Sequence, residues 1–211
     1  MDISAATVKE LRERTGVGFM DCKKALSEAS GNLDEAVQVL RRMGIAKAAA
    51  RSTRATSEGR IESYVHMGGK IAVLIEVNSE TDFVARSDDF VQLARDLAMH
   101  VAAANPRFMR REDVDEATIE RERAIFKAQA ENEGKPPEII ERMVEGKLKR
   151  FYSEVCFYEQ QFVREPDRKI GELITDAIAR IGENIVVARF VRFGLGEGQA
   201  VIAESRPIQD S

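Results

Sequence analysis

Between Ile71 and Val101 the chain changes its hydrophobic period, and that change limits the fold. Ile71 to Val77 is a nearly unbroken apolar run, whereas Phe90, Leu93, Ala94, Leu97, Ala98 and Val101 recur at i, i+3, i+4, i+7, i+8 and i+11. The short run bounded by turn residues reads as a strand and the long stripe as one face of a helix. Ahead of them Ile61, Ser63 and Val65 alternate with Arg60, Glu62, Tyr64 and His66, and Gly68-Gly69 permits a tight turn. The two runs therefore form a hairpin, its second strand expected to be buried on both faces. The helix must pack on this sheet, and Asn105-Pro106 ends it, because the residue before proline is pushed out of the helical region. A last helix from Lys169 to about Gly182 precedes the alternating Ile185 to Phe193, expected as a third strand. The result is an α+β fold, a small three-stranded antiparallel sheet packed with helices.

The amino-terminal segment carries only helical signals. Thr7 with Glu10 has capping-box spacing, Val8 and Leu11 supply a first apolar side, and Thr15-Gly16 ends that helix. A second helix starts near Phe19, with Met20, Ala25, Leu26 and Ala29 expected inward and Ser30-Gly31 as its stop. Asn32 with Glu35 repeats the capping spacing before a third helix bearing Val37, Leu40 and Met43, expected to close at Gly44. Three short helices so closely connected make a small bundle, and the Gly-x-Gly-Phe-Met turn at 16–20 resembles the loop of ubiquitin-associated domains. From Ile45 to Glu58 small and basic residues replace large apolar ones, the composition of a partly helical linker.

Farther on, 115–158 reads as a helical hairpin broken at Gly134-Lys135-Pro136-Pro137. Its second arm sets Ile140, Met143, Val144, Leu148, Phe151 and Val155 on one side, with Glu138 and Arg142, and Glu145 and Lys149, at i, i+4 spacing. Phe151, Tyr152, Phe157 and Tyr158 suit a plain structural arm or a second contact or dimerisation surface. Residues after Gly194 turn glycine-rich and polar and read as a mobile tail. The expected division is a three-helix domain with linker at 1–54, a core and dimerisation domain at 55–195, and a polar tail at 196–211.

Composition excludes several functions. With 44% hydrophobic residues in 211 the chain can bury a real core, and Lys+Arg 32 against Asp+Glu 36 leaves a net charge of only -4. Such a chain has no bulk attraction for nucleic acid, and its 6% aromatic residues form no stripe among basic ones. No apolar run has membrane-spanning length, and Met-Asp-Ile-Ser-Ala-Ala-Thr has neither the basic nor the apolar region of a signal peptide, so a cytosolic chain is expected. Cys22 and Cys156 stand far apart, as do His66 and His100, so spacing supports neither a metal site nor redox chemistry. Buried free thiols are the expectation, and no nucleophile stands with its base.

The connection between the strand and the long helix is Asn78-Ser79-Glu80-Thr81-Asp82-Phe83-Val84-Ala85-Arg86. It places a carboxylate beside a large aromatic in a segment expected at the surface. Either Thr81 caps a helical turn with Phe83 folded beneath it, or Asp82 and Phe83 are presented for insertion into another molecule. The run closely resembles the signature of bacterial elongation factor Ts, with Ser79 where the family usually has cysteine. Thr15 to Leu26 resembles the amino-terminal signature of that family and Ile181 to Phe190 its carboxy-terminal one. The three motifs stand in the family's order and cover nearly the whole chain. The single core unit resembles the short form of the family, which lacks the internal duplication of longer members.

That resemblance implies a guanine-nucleotide exchange factor, not an enzyme, acting in the cytoplasm during translation elongation. It implies binding to elongation factor Tu, GDP-bound and nucleotide-free, with disturbance of that partner's magnesium and phosphate site, release of GDP and loading of GTP. Phe83 is the implied wedge, Asp82 the group that perturbs the magnesium, and Thr81 and Val84 fix their pose; Arg86 is placed equally well to pair with Asp88 or Asp89. Arg12, Phe19, Met20 and Lys23 occupy the positions that touch the partner's G domain, with Phe19 departing from the methionine often found there. Read from the residues alone, Lys23 and Lys24 make an ordinary solvated helix face. No cofactor, bound metal, direct nucleic acid or membrane partner is implied, and a homodimer giving a two-plus-two complex is compatible with the short form. The rival reading is a protein-binding adaptor or chaperone that uses the three-helix bundle and never acts on a GTPase.

Overall fold

Ser4 starts the first helix: its side chain accepts the N–H of Thr7 at 3.1 Å, and the two alanines that follow favour a first turn. The computed structural model describes residues 3–198 and 200–204. In chain order the helices are α1 (Ala5–Thr15), α2 (Phe19–Glu28), α3 (Leu33–Arg51), α4 (Asp82–Ala85), α5 (Asp88–Ala104), α6 (Glu116–Asn132), α7 (Pro137–Val155) and α8 (Ile170–Ile181). The strands are β1 (Glu58–Val65), β2 (Ile71–Ser79), β3 (Gln161–Phe162), β4 (Glu165–Lys169), β5 (Val186–Gly194) and β6 (Val201–Glu204). These form two compact units. One contains everything described up to Arg60 together with Asn78–Leu93 and Glu172–Val186; the other contains Ile61–Val77, Ala94–Gly171 and the described residues from Val187 onward.

In the first unit, Val8 and Leu11 of α1 meet Cys22, Ala25 and Leu26 of α2 and Ala36, Val39 and Leu40 of α3 in one buried cluster. Gly16, at φ 68, ends α1 by donating its N–H to the Arg12 carbonyl, and Asn32 caps α3 by accepting the N–H groups of Asp34 and Glu35. Three sequence expectations need correction here. Helix α1 is capped by Ser4, one turn before the Thr7 and Glu10 spacing would start it. Met20 points outward, 73% exposed, because it lies two residues, about 200° of helix, from Cys22, which takes the inward place. Helix α3 does not stop at Gly44 but runs on to Arg51. Gly44 is buried, and a Cβ there would lie 3.3 Å from the Ala179 Cβ of α8, so its small size serves close helix packing rather than a stop. Arg41 also pairs with Glu172 of α8 at 2.6 Å.

In the second unit the sheet runs β1-β2-β5-β6 and is antiparallel. Gly68 and Gly69, both at positive φ, close the β1 and β2 hairpin, and the His66 N–H reaches the Ile71 carbonyl at 2.9 Å. The sheet has four strands rather than three. The fourth, β6, pairs Arg189 with Glu204 and Arg192 with Val201, so 201–204 of the expected tail is sheet; 199 and 205–211 lie outside the described residues. Strand β2 is not buried on both faces: Val73, Ile75 and Val77 are buried while Leu74 is 47% exposed. On β1 it is Glu62 that turns inward, toward Arg95 of α5 at 3.8 Å, leaving Ile61 and Val65 exposed. The inner face meets α5 through the Arg192 guanidinium, whose Nε donates to the Ala102 carbonyl at 3.1 Å, and meets Phe157, whose ring lies 5.6 Å from that of Phe190.

The hairpin of α6 and α7 is present, with Pro137 at the start of α7 and Ala130, Ile140, Val144 and Leu148 buried between its arms. Glu145 pairs across the hairpin with Arg123 at 3.0 Å. The aromatics that suited a second contact surface are instead used internally. Phe151 is 6% exposed and Phe157 fully buried, and the half-buried Tyr158 accepts the Val187 N–H at 3.4 Å. The β3 and β4 ribbon, unmarked in the sequence, pairs Gln161 with Lys169. Both cysteines are free and buried; burial raises the Cys22 thiol pKa and pushes that of Cys156 up to about 12.

Candidate functional site

A helix of four residues has no stability of its own, because nucleation fixes several dihedrals for very few hydrogen bonds. Helix α4, Asp82–Ala85, therefore depends on what holds its ends. Thr81, in extended conformation, caps it by accepting the Val84 N–H at 3.3 Å. The buried Ser79 hydroxyl donates to the Thr81 carbonyl at 3.0 Å, so this residue bonds to the loop as well as packing under it. Ala85 is buried and Val84 half-buried, which sets the turn's inner side. Phe83 is on the other side, 82% exposed. The ring is not folded beneath the helix.

Asp82 is exposed at the first position of α4, and its carboxylate accepts from Arg86, which thus pairs with Asp82 rather than with Asp88 or Asp89. Asp82, Phe83, Arg86 and Ser87 together line a shallow surface depression. Asp89 pairs with Arg180 of α8 at 3.4 Å.

The segment after α8 supplies residues that local pattern did not reveal. Gly182, at φ 93, ends the helix by donating to the Ile178 carbonyl at 3.0 Å and turns the chain back. Glu183 then reaches the loop: its Oε2 accepts the N–H groups of Glu80 and Thr81 at 3.1 and 3.0 Å, and its Oε1 accepts the Thr81 hydroxyl at 2.7 Å. Glu80 returns the contact by accepting the Asn184 N–H at 2.7 Å. The buried Asn184 side chain donates to the carbonyls of Arg54 at 2.9 Å and Ser52 at 3.4 Å. Partners this far apart in sequence leave no periodic signal; only the presence of Glu183 and Asn184 in the carboxy-terminal motif marked them.

The second group of candidates lies on the helical bundle. Arg12 is exposed on α1, and Phe19, Met20 and Lys23 are exposed at the start of α2, where Lys23 neighbours Phe19 at i, i+4 and Met20 at i, i+3. Phe19 is 42% exposed. Both groups belong to the first compact unit. Helix α8 borders each: its Arg180 lies where a Cβ on Gly16 would meet it at 3.3 Å, and the same side chain pairs with Asp89 beyond α4. The site offers an aromatic, a carboxylate and exposed apolar and basic side chains held on a braced surface, an arrangement suited to docking on another protein. Among the described residues no helix is long and apolar enough to cross a membrane.

Comparison with known proteins gives one consistent result. The family model described as Elongation factor TS matches residues 2–197. A protein named Elongation factor Ts from Alkaliphilus oremlandii is 56% identical over 198 residues, covering 94% of this chain and 91% of its own. Proteins of the same name from Carboxydothermus hydrogenoformans and Thermoanaerobacter pseudethanolicus are 55% and 53% identical, covering 94% and 93% of this chain and 91% and 96% of theirs. With its three motifs in order and this similarity along nearly its whole length, the chain belongs to the elongation factor Ts family.

Proposed function

We propose that this protein is a guanine-nucleotide exchange factor for elongation factor Tu, binding its GDP-bound and nucleotide-free forms and promoting GDP release and GTP loading. The observation that carries the reading is Phe83, a large apolar ring 82% exposed on a turn braced from both sides. Exchange requires no covalent step. It requires binding energy available only when the partner's nucleotide site is distorted, and linkage makes that reciprocal: each tenfold weakening of nucleotide by the exchange factor is a tenfold weakening of the exchange factor by nucleotide, about 1.4 kcal/mol. Burying the Phe83 ring in an apolar crevice of the G domain contributes roughly 1.5 to 3 kcal/mol toward the distorted state. Asp82 acts beside the partner's magnesium, and it must exchange its present pairing with Arg86 for that new environment. Arg12, Phe19, Met20 and Lys23 hold the G domain and set affinity.

The test is release of a fluorescent GDP analogue from elongation factor Tu. Intact protein should accelerate it strongly, and Met20→Ala should raise the concentration needed for half-maximal acceleration severalfold through loss of the proposed apolar contact, with little effect on the fold because the side chain is exposed. Point substitution is the cleaner choice than deleting 1–54, since Gly44, Ser52 and Arg54 all take part in packing or hydrogen bonds with α8 and the turn after it. No acceleration by intact protein would leave the adaptor reading in its place. A homodimer remains part of the proposal, tested by sedimentation of the free protein.

A further inference from the structure

Helix α4 presents the exposed ring of the proposed exchange site, yet one turn of helix does not persist unaided in water. We propose that Glu183 is a positioning residue for exchange: its carboxylate preorganises the turn that presents Phe83, so that partner binding does not first have to order it. The inference rests on the exchange reading and extends it to a residue a hundred positions away in the chain.

The geometry supports this in three steps. First, the Thr81 hydroxyl has one proton and two lone pairs. Giving the proton to Glu183 Oε1 at 2.7 Å directs a lone pair to the Val84 N–H at 3.3 Å, so the carboxylate sets the rotamer in which Thr81 caps the turn. Second, the other oxygen holds the backbone N–H groups of Glu80 and Thr81 at 3.1 and 3.0 Å, which fixes the chain on entry to the turn. Charge-assisted bonds of this kind are the stronger class. Third, Glu183 is itself held. Gly182 turns it back from α8, and its neighbour Asn184 is tied through its backbone to Glu80 and through its buried side chain to Ser52 and Arg54. A group so anchored can hold a loop; a mobile one could not. None of these contacts involves the Phe83 ring or the Asp82 carboxylate, whose one side-chain partner among the described residues is Arg86.

Preorganisation has a distinctive kinetic signature. If the competent turn is only fractionally populated, apparent affinity falls by that fraction, while the complex once formed is unchanged. Glu183→Ala should therefore raise the concentration for half-maximal GDP release by roughly tenfold and leave the saturating rate near that of the intact protein. Amide hydrogen exchange should show lost protection at the Val84 N–H, with the buried part of α5 unaffected. A global loss of fold would instead remove protection everywhere. Glu183→Gln keeps the size and one acceptor but reverses the Thr81 bond, and should fall between the two; it carries the test if the alanine variant fails to fold. Unchanged half-maximal concentration in a folded variant, or a fall confined to the saturating rate, would overturn the proposal. Failure of the intact protein to accelerate release at all would sink the exchange reading instead, and the Val84 amide would still report whether Glu183 braces the turn.

Discussion

A phenylalanine ring left 82% in water gives up most of the burial that ordinarily justifies it, and in the proposed function the partner's crevice supplies that burial. Its immediate neighbours were legible in sequence as a cap and a first turn, but the direction of the ring was not. Thr81 capping is compatible with Phe83 folded under or pointing out, and only the burial of Ala85 on the inner side selects the second. Met20 shows the same limit: the apolar type suggested core, whereas helix phase puts Cys22 there. His100 is a residue whose chemistry is strongly altered by its surroundings. The Gln160 side-chain amide donates to the Glu154 and Ala104 carbonyls, which leaves its oxygen to accept from His100 Nε2 at 2.9 Å. Burial lowers the ring's pKa from 6.5 to about 4, so it is held neutral beside Phe157 and Phe162, and among the described residues its Nδ1 has no hydrogen-bond partner. The unfolded chain binds a proton at this position between those values that the folded chain refuses. Stability should therefore be complete above about pH 6.5 and fall by about 3 kcal/mol from this group as pH drops through 4. NMR titration should find the His100 ring still neutral at about pH 5.5; a ring titrating near its ordinary value would contradict this.

At the level of elements, the long amphipathic stripe became α5, the alternation after Ile185 became β5 and the broken helical hairpin became α6 and α7, because each repeats its period long enough to be read locally. What escaped is short or non-local. Strand β6 has four residues after a glycine-rich stretch and exists through pairing with β5, and the β3 and β4 ribbon is shorter than any periodic signal. The end of α3 was misplaced for a different reason. A glycine is a common stop, but at Gly44 the absence of a side chain admits α8, with the Ala179 Cβ at 3.3 Å from the position a Cβ would take. This predicts a steep size dependence. Gly44→Ala should change stability by less than about 1 kcal/mol, as gained helix propensity offsets the tight contact, whereas Gly44→Leu should cost about 1 to 3 kcal/mol by overpacking. Urea unfolding of the two variants checks it; equal stability of both would mean that α3 and α8 are not in close contact there.

At the level of the whole molecule, the fold class and the location of the signature were available from sequence, while the bracing of that signature was not. Glu183, Asn184, Glu80 and Arg54 come from three chain segments that only the folded first unit assembles. The proposed division of labour follows from exposure: the braced turn acts on the partner's nucleotide site, the bundle surface holds the partner, and neither needs a metal or nucleophile of its own. That division makes Phe83→Ala the most direct measurement. Removing an exposed ring should leave thermal unfolding essentially unchanged. In release of a fluorescent GDP analogue from elongation factor Tu at saturating protein, it should lower the rate by roughly ten- to a hundredfold, the equivalent of the ring's burial energy. A folded Phe83→Ala protein that releases GDP as fast as the intact one would contradict the wedge and, with it, the mechanism proposed for this chain.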